Sequence, residues 1–308
     1  MYTPLISAQQ LQALQASGQP LMVFDCSFEL MKPLEGDAQY LQAHVAGAVR
    51  ADLNRDLSWH SDHPEPFDSA QDRLVEGAST GPARTDIAAS GGRHPLPSRA
   101  HFAQWLASVG FDSTMQAVVY DRQGVNYSGR LWWMLKWVGH DAVAVLDGGL
   151  QAWQAAGGAV ASGSEVPRPA SNFTASQEKA DLATTERVLR HLGQPDQTVI
   201  DARATPRYRG EVEPLDPVAG HIPGALNRPF GLNIGADGKF KPADQLKAEF
   251  LQLLAGRDPS SVVHQCGSGV SALPNLLAME IAGLGSSALY AGSWSEWCSD
   301  ASRPVAKG

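Results

Sequence analysis

Short apolar runs alternate along this chain with stretches whose apolar positions recur at helical spacing. Residues 21–24, 117–120 and 142–146 in the first half read as strands, as do 199–200, 261–264 and 288–290 in the second. Between them, residues 130–138 and 273–281 carry helical patterns, the latter with Pro274 in its first turn, where proline is tolerated. This alternation predicts an α/β fold: a central, mostly parallel sheet flanked by helices in each half.

The halves also repeat one another, which fixes the architecture before any single element does. Phe24-Asp25-Cys26 is echoed by Ile200-Asp201-Ala202, and His44-Val45-Ala46-Gly47-Ala48 by His221-Ile222-Pro223-Gly224-Ala225. Val118-Val119-Tyr120 parallels Val262-Val263-His264, and residues 145–153 parallel 289–297. The offset falls from 177 residues at the histidine turn to 144 in the later block, so the first half holds 33 extra residues. They fall around 56–97, a stretch rich in Pro, Gly, Ser, Asp and His that reads as a long surface excursion without an assigned function. The expected organisation is a domain at 1–160, a linker at 161–179 and a second domain at 180–308.

Composition narrows the function classes. A chain of 308 residues with net charge −8 has no basic footprint for nucleic acid or an anionic membrane surface. Residues 1–20 lack the pattern of a signal peptide, and no run is long and apolar enough to span a bilayer; a cytoplasmic protein acting on small molecules is expected. Cys26, Cys266 and Cys298 are too few and too widely spaced for a disulfide framework or paired zinc ligands. No cofactor or metal is called for.

Cys266 follows a strand-like run and opens Cys-Gly-Ser-Gly-Val-Ser-Ala ahead of a helix. Glycines there let successive N–H groups turn inward into an anion-binding nest at the positive end of the helix dipole, which favours a reactive thiolate. The bland alternative is a buried thiol in an ordinary turn. The repeat argues against it: the constant offset puts Arg122 opposite Cys266, or Asp121 if the register slips by one, so only one half carries a thiol.

With these motifs the chain resembles tandem-domain rhodanese-type sulfurtransferases over nearly its whole length. The resemblance rests on Asp201-Ala202-Arg203, Arg207-Tyr208-Arg209-Gly210, Gly220-His221-Ile222-Pro223-Gly224-Ala225, the cysteine loop and residues 292–297. It implies two rhodanese-like domains, the first without the cysteine, and an active site between them. The uncharged loop is similar to that of the 3-mercaptopyruvate branch, whereas thiosulfate-using members carry cations just after the cysteine. By that resemblance Cys266 is the nucleophile, the loop Gly267, Gly269, Val270 and Ser271 cradles the donor, and Arg207 holds its carboxylate. Ser268 and His44 form a relay that protonates the leaving enolate, with Asp37 or Glu35 as the acidic member. A thiol, a thioredoxin-like protein or cyanide is the acceptor. One departure stands out: many members of that branch have a second arginine after Glu-Pro, where this chain has Leu215, so Arg209 or a group elsewhere must substitute.

Thiosulfate is the alternative donor, and a non-catalytic rhodanese-like module is a further reading that the intact Cys266 opposes. A cysteine phosphatase needs an arginine at the end of its loop, and Ala272 and its neighbours supply none. Asp25 and Asp201, present in both halves, are expected to bond turns or core, and Trp132, Trp133 and Trp137 to pack a core or domain interface.

Overall fold

The computed structural model describes residues 1–59 and 88–308, so the middle of the predicted excursion lies outside the described residues. The first domain contains strands β1 (Leu5–Ile6), β2 (Leu21–Asp25), β3 (His44–Val45), β4 (Val49–Arg50), β5 (Gln116–Tyr120), β6 (Val143–Leu146) and β7 (Val160–Ala161). Its helices are α1 (Ala8–Ala16), α2 (Glu35–Gln42), α3 (Arg99–Ser108), α4 (Ser128–Trp137) and α5 (Gly149–Ala155). The second contains β8 (Asp181–Leu182), β9 (Thr198–Asp201), β10 (Leu226–Asn227), β11 (Val262–Gln265) and β12 (Ala288–Leu289). Its helices are α6 (Thr185–Arg190), α7 (Thr205–Tyr208), α8 (Ala243–Leu254), α9 (Leu273–Ile281) and α10 (Ser293–Trp297).

Each domain is built on a five-stranded, all-parallel sheet. The orders are β1-β6-β5-β2-β4 and β8-β12-β11-β9-β10, the same topology strand for strand. A central parallel strand is covered on both faces, which is why 117–120 is a continuous apolar run: Ala117 and Val119 face one core, Val118 and Tyr120 the other. The histidine turn repeats as well, with β3 pairing antiparallel to β7 and His221 bridging to Ala306.

The domains share one core. Every residue of α4 is buried, and its Leu131, Trp132 and Trp133 belong to the same hydrophobic cluster as Leu273, Leu276 and Leu277 of α9. Close approach of the two helices requires Gly129, whose Cβ would sit 3.0 Å from that of Leu273. At the far end of α4, Lys136 Nζ donates to both oxygens of Glu280 at 2.8 Å. The three tryptophans lie in this shared core, in keeping with the core or domain-interface packing that the sequence pattern anticipates.

A second contact between domains matters more for chemistry. Residues 88–97 form a loop closed by an Ala88–Pro97 bridge, and it lies against the start of α10. Gly91 N donates to Glu296 Oε2 (3.2 Å) and Arg93 N to Ser295 Oγ (3.0 Å). Gly92 takes φ +87°, and a Cβ there would come within 2.6 Å of Gly292 O, so glycine is needed for this docking.

Candidate active site

β11 carries the chain to Cys266, which is 2% exposed. The loop is pinned by α10: Cys266 N donates to Ser293 Oγ, and Cys266 O and Gly267 O accept from the amides of Trp294 and Ser295. Gly269 takes φ +76° and a Cβ there would meet Ala291 O at 2.1 Å, so no other residue fits. None of the backbone N–H groups from Gly267 to Ala272 donates to an acceptor among the described residues. These unpaired amides and the left-handed Gly269 stand at the start of the nine-residue helix α9, where the glycine pattern leads one to expect an anion-binding nest.

The first domain shows what that nest holds when the cysteine is gone. Asp25 pairs with Tyr120 as Asp201 pairs with Gln265, so the residue opposite Cys266 is Asp121. The register slips by one from the simple offset, and Arg122 is not the counterpart. The Asp121 carboxylate accepts from the amides of Gln123, Val125, Tyr127 and Ser128. The amides of one loop bind their own carboxylate; those of the other have no acceptor among the described residues.

Cations surround the Cys266 loop. Arg130 of α4, fully buried, donates to Leu57 O, to His94 O (3.0 Å) and towards Gly269 O (3.5 Å). Burial pulls its guanidinium down to about 9, and the Cys266 thiolate works in the opposite direction. Arg207, from α7, sends Nε and Nη2 to Glu213 and Nη2 also to Asp216. Burial would raise the Glu213 carboxyl, but hydrogen bonds from Arg207 and from the amides of Leu215 and Asp216 hold it below the usual carboxylate range. Arg207 Nη1 points instead to Gly267, where a Cβ would lie 3.4 Å away.

The sequence-derived relay is assembled differently from the expectation. Ser268, 7% exposed, is in place, but its hydroxyl pairs at 2.7 Å with Nδ1 of His94, not with His44. His44 is fully buried at the histidine turn, stacked on Tyr40 at 4.0 Å, with Nδ1 donating to Tyr40 O and Nε2 at 3.1 Å from Glu165. His221 repeats this arrangement with Tyr208 at 3.9 Å and 2.8 Å, so the same imidazole packing recurs in both domains. Asp37 is engaged by Arg50 (2.9 Å) and Arg55, whereas Glu35 opens α2 in its first turn. A cleft of about 600 Å³ is lined by Asp37, Asp52, Arg93 and His94 together with Phe28 and Leu34. Asp52, 6% exposed, accepts from Arg50 and from the amides of Asn54 and Arg55. Arg209 stands apart, 55% exposed and 3.7 Å from Glu211, so it does not reach the loop.

His94, Arg93, Arg130 and Asp52 were not among the residues singled out from the sequence. The available signal was the Gly91-Gly92-Arg93-His94-Pro95 run at the end of the excursion, chemistry-bearing residues next to turn formers in a segment without counterpart in the other half. Burial, with Asp25 and Asp121 nearby, pushes the Cys26 thiol well up, and burial with Asp216 nearby pushes the Cys298 thiol up.

A doubled parallel-sheet domain with one cysteine nest and one acid-filled nest defines the class, and the chain belongs to the rhodanese-like domain family, whose model matches residues 7–156 and 184–300. Among curated proteins it is 44% identical over 305 residues to one named "Probable 3-mercaptopyruvate sulfurtransferase" from Pseudomonas aeruginosa, covering 99% of this chain and 98% of that one. It is 31% identical to a thiosulfate sulfurtransferase of Bos taurus, covering 96% and 92%. The solved 3-mercaptopyruvate sulfurtransferase from Leishmania major superposes with TM-score 0.74 at 30% identity, over 96% of this chain and 74% of that one. No helix among the described residues is long and apolar enough to cross a membrane.

Proposed function

We propose that this protein is a 3-mercaptopyruvate sulfurtransferase acting through a Cys266 persulfide, with roles for Ser268, His94, Arg207 and the loop amides. The observation that carries the reading is the Ser268–His94 hydrogen bond beside the cysteine loop. A mercaptopyruvate leaving group departs as an enolate and needs a proton at carbon or oxygen; sulfite leaving thiosulfate does not. A hydroxyl coupled to an imidazole is a proton source of the required kind.

In the first half-reaction the Cys266 thiolate attacks the donor sulfur. The S–S bond forms, the C–S bond breaks, and its electron pair leaves on the pyruvate enolate. Ser268 gives its proton to the enolate and recovers one from His94, whose carbonyl is fixed by Arg130. The open amides of residues 267–272 stabilise the sulfur anion, as the backbone does for the Asp121 carboxylate in the first domain. In the second half-reaction an acceptor thiolate, on a small thiol or a thioredoxin-like protein, or cyanide, attacks the outer sulfur and restores the Cys266 thiolate, a double displacement. Three free cysteines fit a reducing compartment such as the cytoplasm.

Thiosulfate is the second reading, favoured by the pair of arginines beside Gly267, which suits a dianion. Measuring kcat/KM for both donors decides: mercaptopyruvate is expected to lead by at least ~10-fold, and a preference for thiosulfate overturns the assignment.

A further inference from the structure

The position after Glu213-Pro214 is Leu215, which has no charge to offer a carboxylate, and Arg209 is turned away into solvent. A second guanidinium nevertheless reaches the cysteine loop. Arg93 arrives from the other domain on the docked 88–97 loop, and its Nη1 donates to Asp216 Oδ1 at 2.7 Å. Asp216 Oδ2 accepts from Arg207 Nη2 at 3.1 Å, so one carboxylate spaces the two arginines side by side.

Their free nitrogens converge. A Cβ placed on Gly267 would lie 3.1 Å from Arg93 Nη2 and 3.4 Å from Arg207 Nη1. Neither of these atoms has a hydrogen-bond acceptor among the described residues, and Arg93 Nε is buried without one. Two donors aimed at the same small volume, directly beside the residue after Cys266, match the spacing of a carboxylate with hydrogen bonds of ~2.9 Å to each. The lack of a side chain on Gly267 keeps that volume empty.

We propose that Arg93 is the second carboxylate anchor of the donor site, supplied by the first domain in place of the arginine missing at 215. This rests on the reading of the donor as an α-keto carboxylate. Binding the carboxylate between Arg93 and Arg207 places the β-carbon sulfur over Cys266 only when the domains are docked, so a single substrate group is read by both halves of the repeat. The docking does not rest on the Arg93 side chain alone: besides its ion pair with Asp216, Gly91 N, Arg93 N and the Gly92 conformation hold the loop against the second domain.

The test uses the full chain with Arg93→Met, Arg93→Lys and Arg93→Met combined with Leu215→Arg. Arg93→Met is expected to raise KM for mercaptopyruvate by roughly 10- to 100-fold, the worth of a charge-assisted hydrogen-bond pair, with kcat within about threefold. Arg93→Lys, which keeps the charge at the docked loop, is expected to fall between, and Leu215→Arg to recover part of the loss. Calorimetric binding of pyruvate is the second readout, expected to weaken in parallel with KM. Unchanged pyruvate affinity and unchanged KM in both single variants overturn the proposal. If the parent enzyme ignores mercaptopyruvate while pyruvate binding still depends on Arg93, the anchor stands and the donor assignment fails.

Discussion

Replacing Ser268 with alanine deletes one buried oxygen and with it the 2.7 Å hydrogen bond to His94 Nδ1. The cysteine loop keeps its shape, because Gly269, the α10 amides and Ser293 fix it without the Ser268 side chain. What is lost is the proton route to the enolate. General acid catalysis contributes about 10²- to 10⁴-fold, equivalent to ~2.7–5.5 kcal/mol of barrier. The 2.7 Å separation and 7% exposure of Ser268 leave bulk water poorly placed to replace this pair, so the full range applies. Single-turnover release of pyruvate, followed by coupled reduction to lactate, is therefore expected to slow by at least ~10²-fold in Ser268→Ala. Turnover with thiosulfate, whose leaving sulfite needs no proton, is expected to change by less than about threefold. Equal losses with both donors, or no loss with mercaptopyruvate, refute the proton-relay reasoning.

Further outcomes follow from the same geometry. Arg130→Met removes a buried cation that interacts electrostatically with Cys266 and is expected to slow iodoacetamide labelling of Cys266 at neutral pH several-fold, read by peptide mass spectrometry. Lys136→Met leaves Glu280 without its interdomain partner and is expected to cost about 3 kcal/mol in denaturant unfolding, while Lys136→Met with Glu280→Met recovers most of it. His264 is fully buried, and burial first, then the Arg228 charge, push its imidazole down to about 3. The folded state then refuses a proton that the unfolded chain accepts below about 6.5, so stability is retained above that pH and declines as pH falls towards 3. About 2 kcal/mol should be lost between pH 7 and pH 5, and His264→Leu should flatten that limb; a parent protein with equal unfolding midpoints at the two pH values contradicts this.

The sheet architecture was legible because parallel strands covered on both faces leave continuous apolar runs, and because the domain is written twice. Comparison of the halves put Arg122 opposite Cys266, with Asp121 if the register slipped by one, and strand register selects Asp121. His44 entered the relay through the family resemblance, not through the comparison of halves. His44 stands in a duplicated turn, and duplication reports what both domains need to fold: an imidazole stacked on tyrosine and bonded to its carbonyl. The residues that complete the site, Arg93 and His94, sit at the end of a segment that only one half possesses. They act on the other domain's loop, so neither periodicity nor repeat alignment links them to Cys266. Docking through Gly92 and through the Ser295 and Glu296 side chains of α10 creates that link, and it is a long-range contact that local pattern does not encode. Arg207 was reached only through the family resemblance, by its place in Arg207-Tyr208-Arg209-Gly210; the partners that hold it, Glu213 and Asp216, lie within nine residues.

The central claim is that Cys266 carries the sulfur. Full-length protein incubated with mercaptopyruvate in the absence of acceptor, then digested and weighed, should show a gain of about 32 daltons, one sulfur atom, on the Cys266 peptide, with Cys26 and Cys298 unmodified. Release of pyruvate without that gain, or the same gain on another cysteine, contradicts the account.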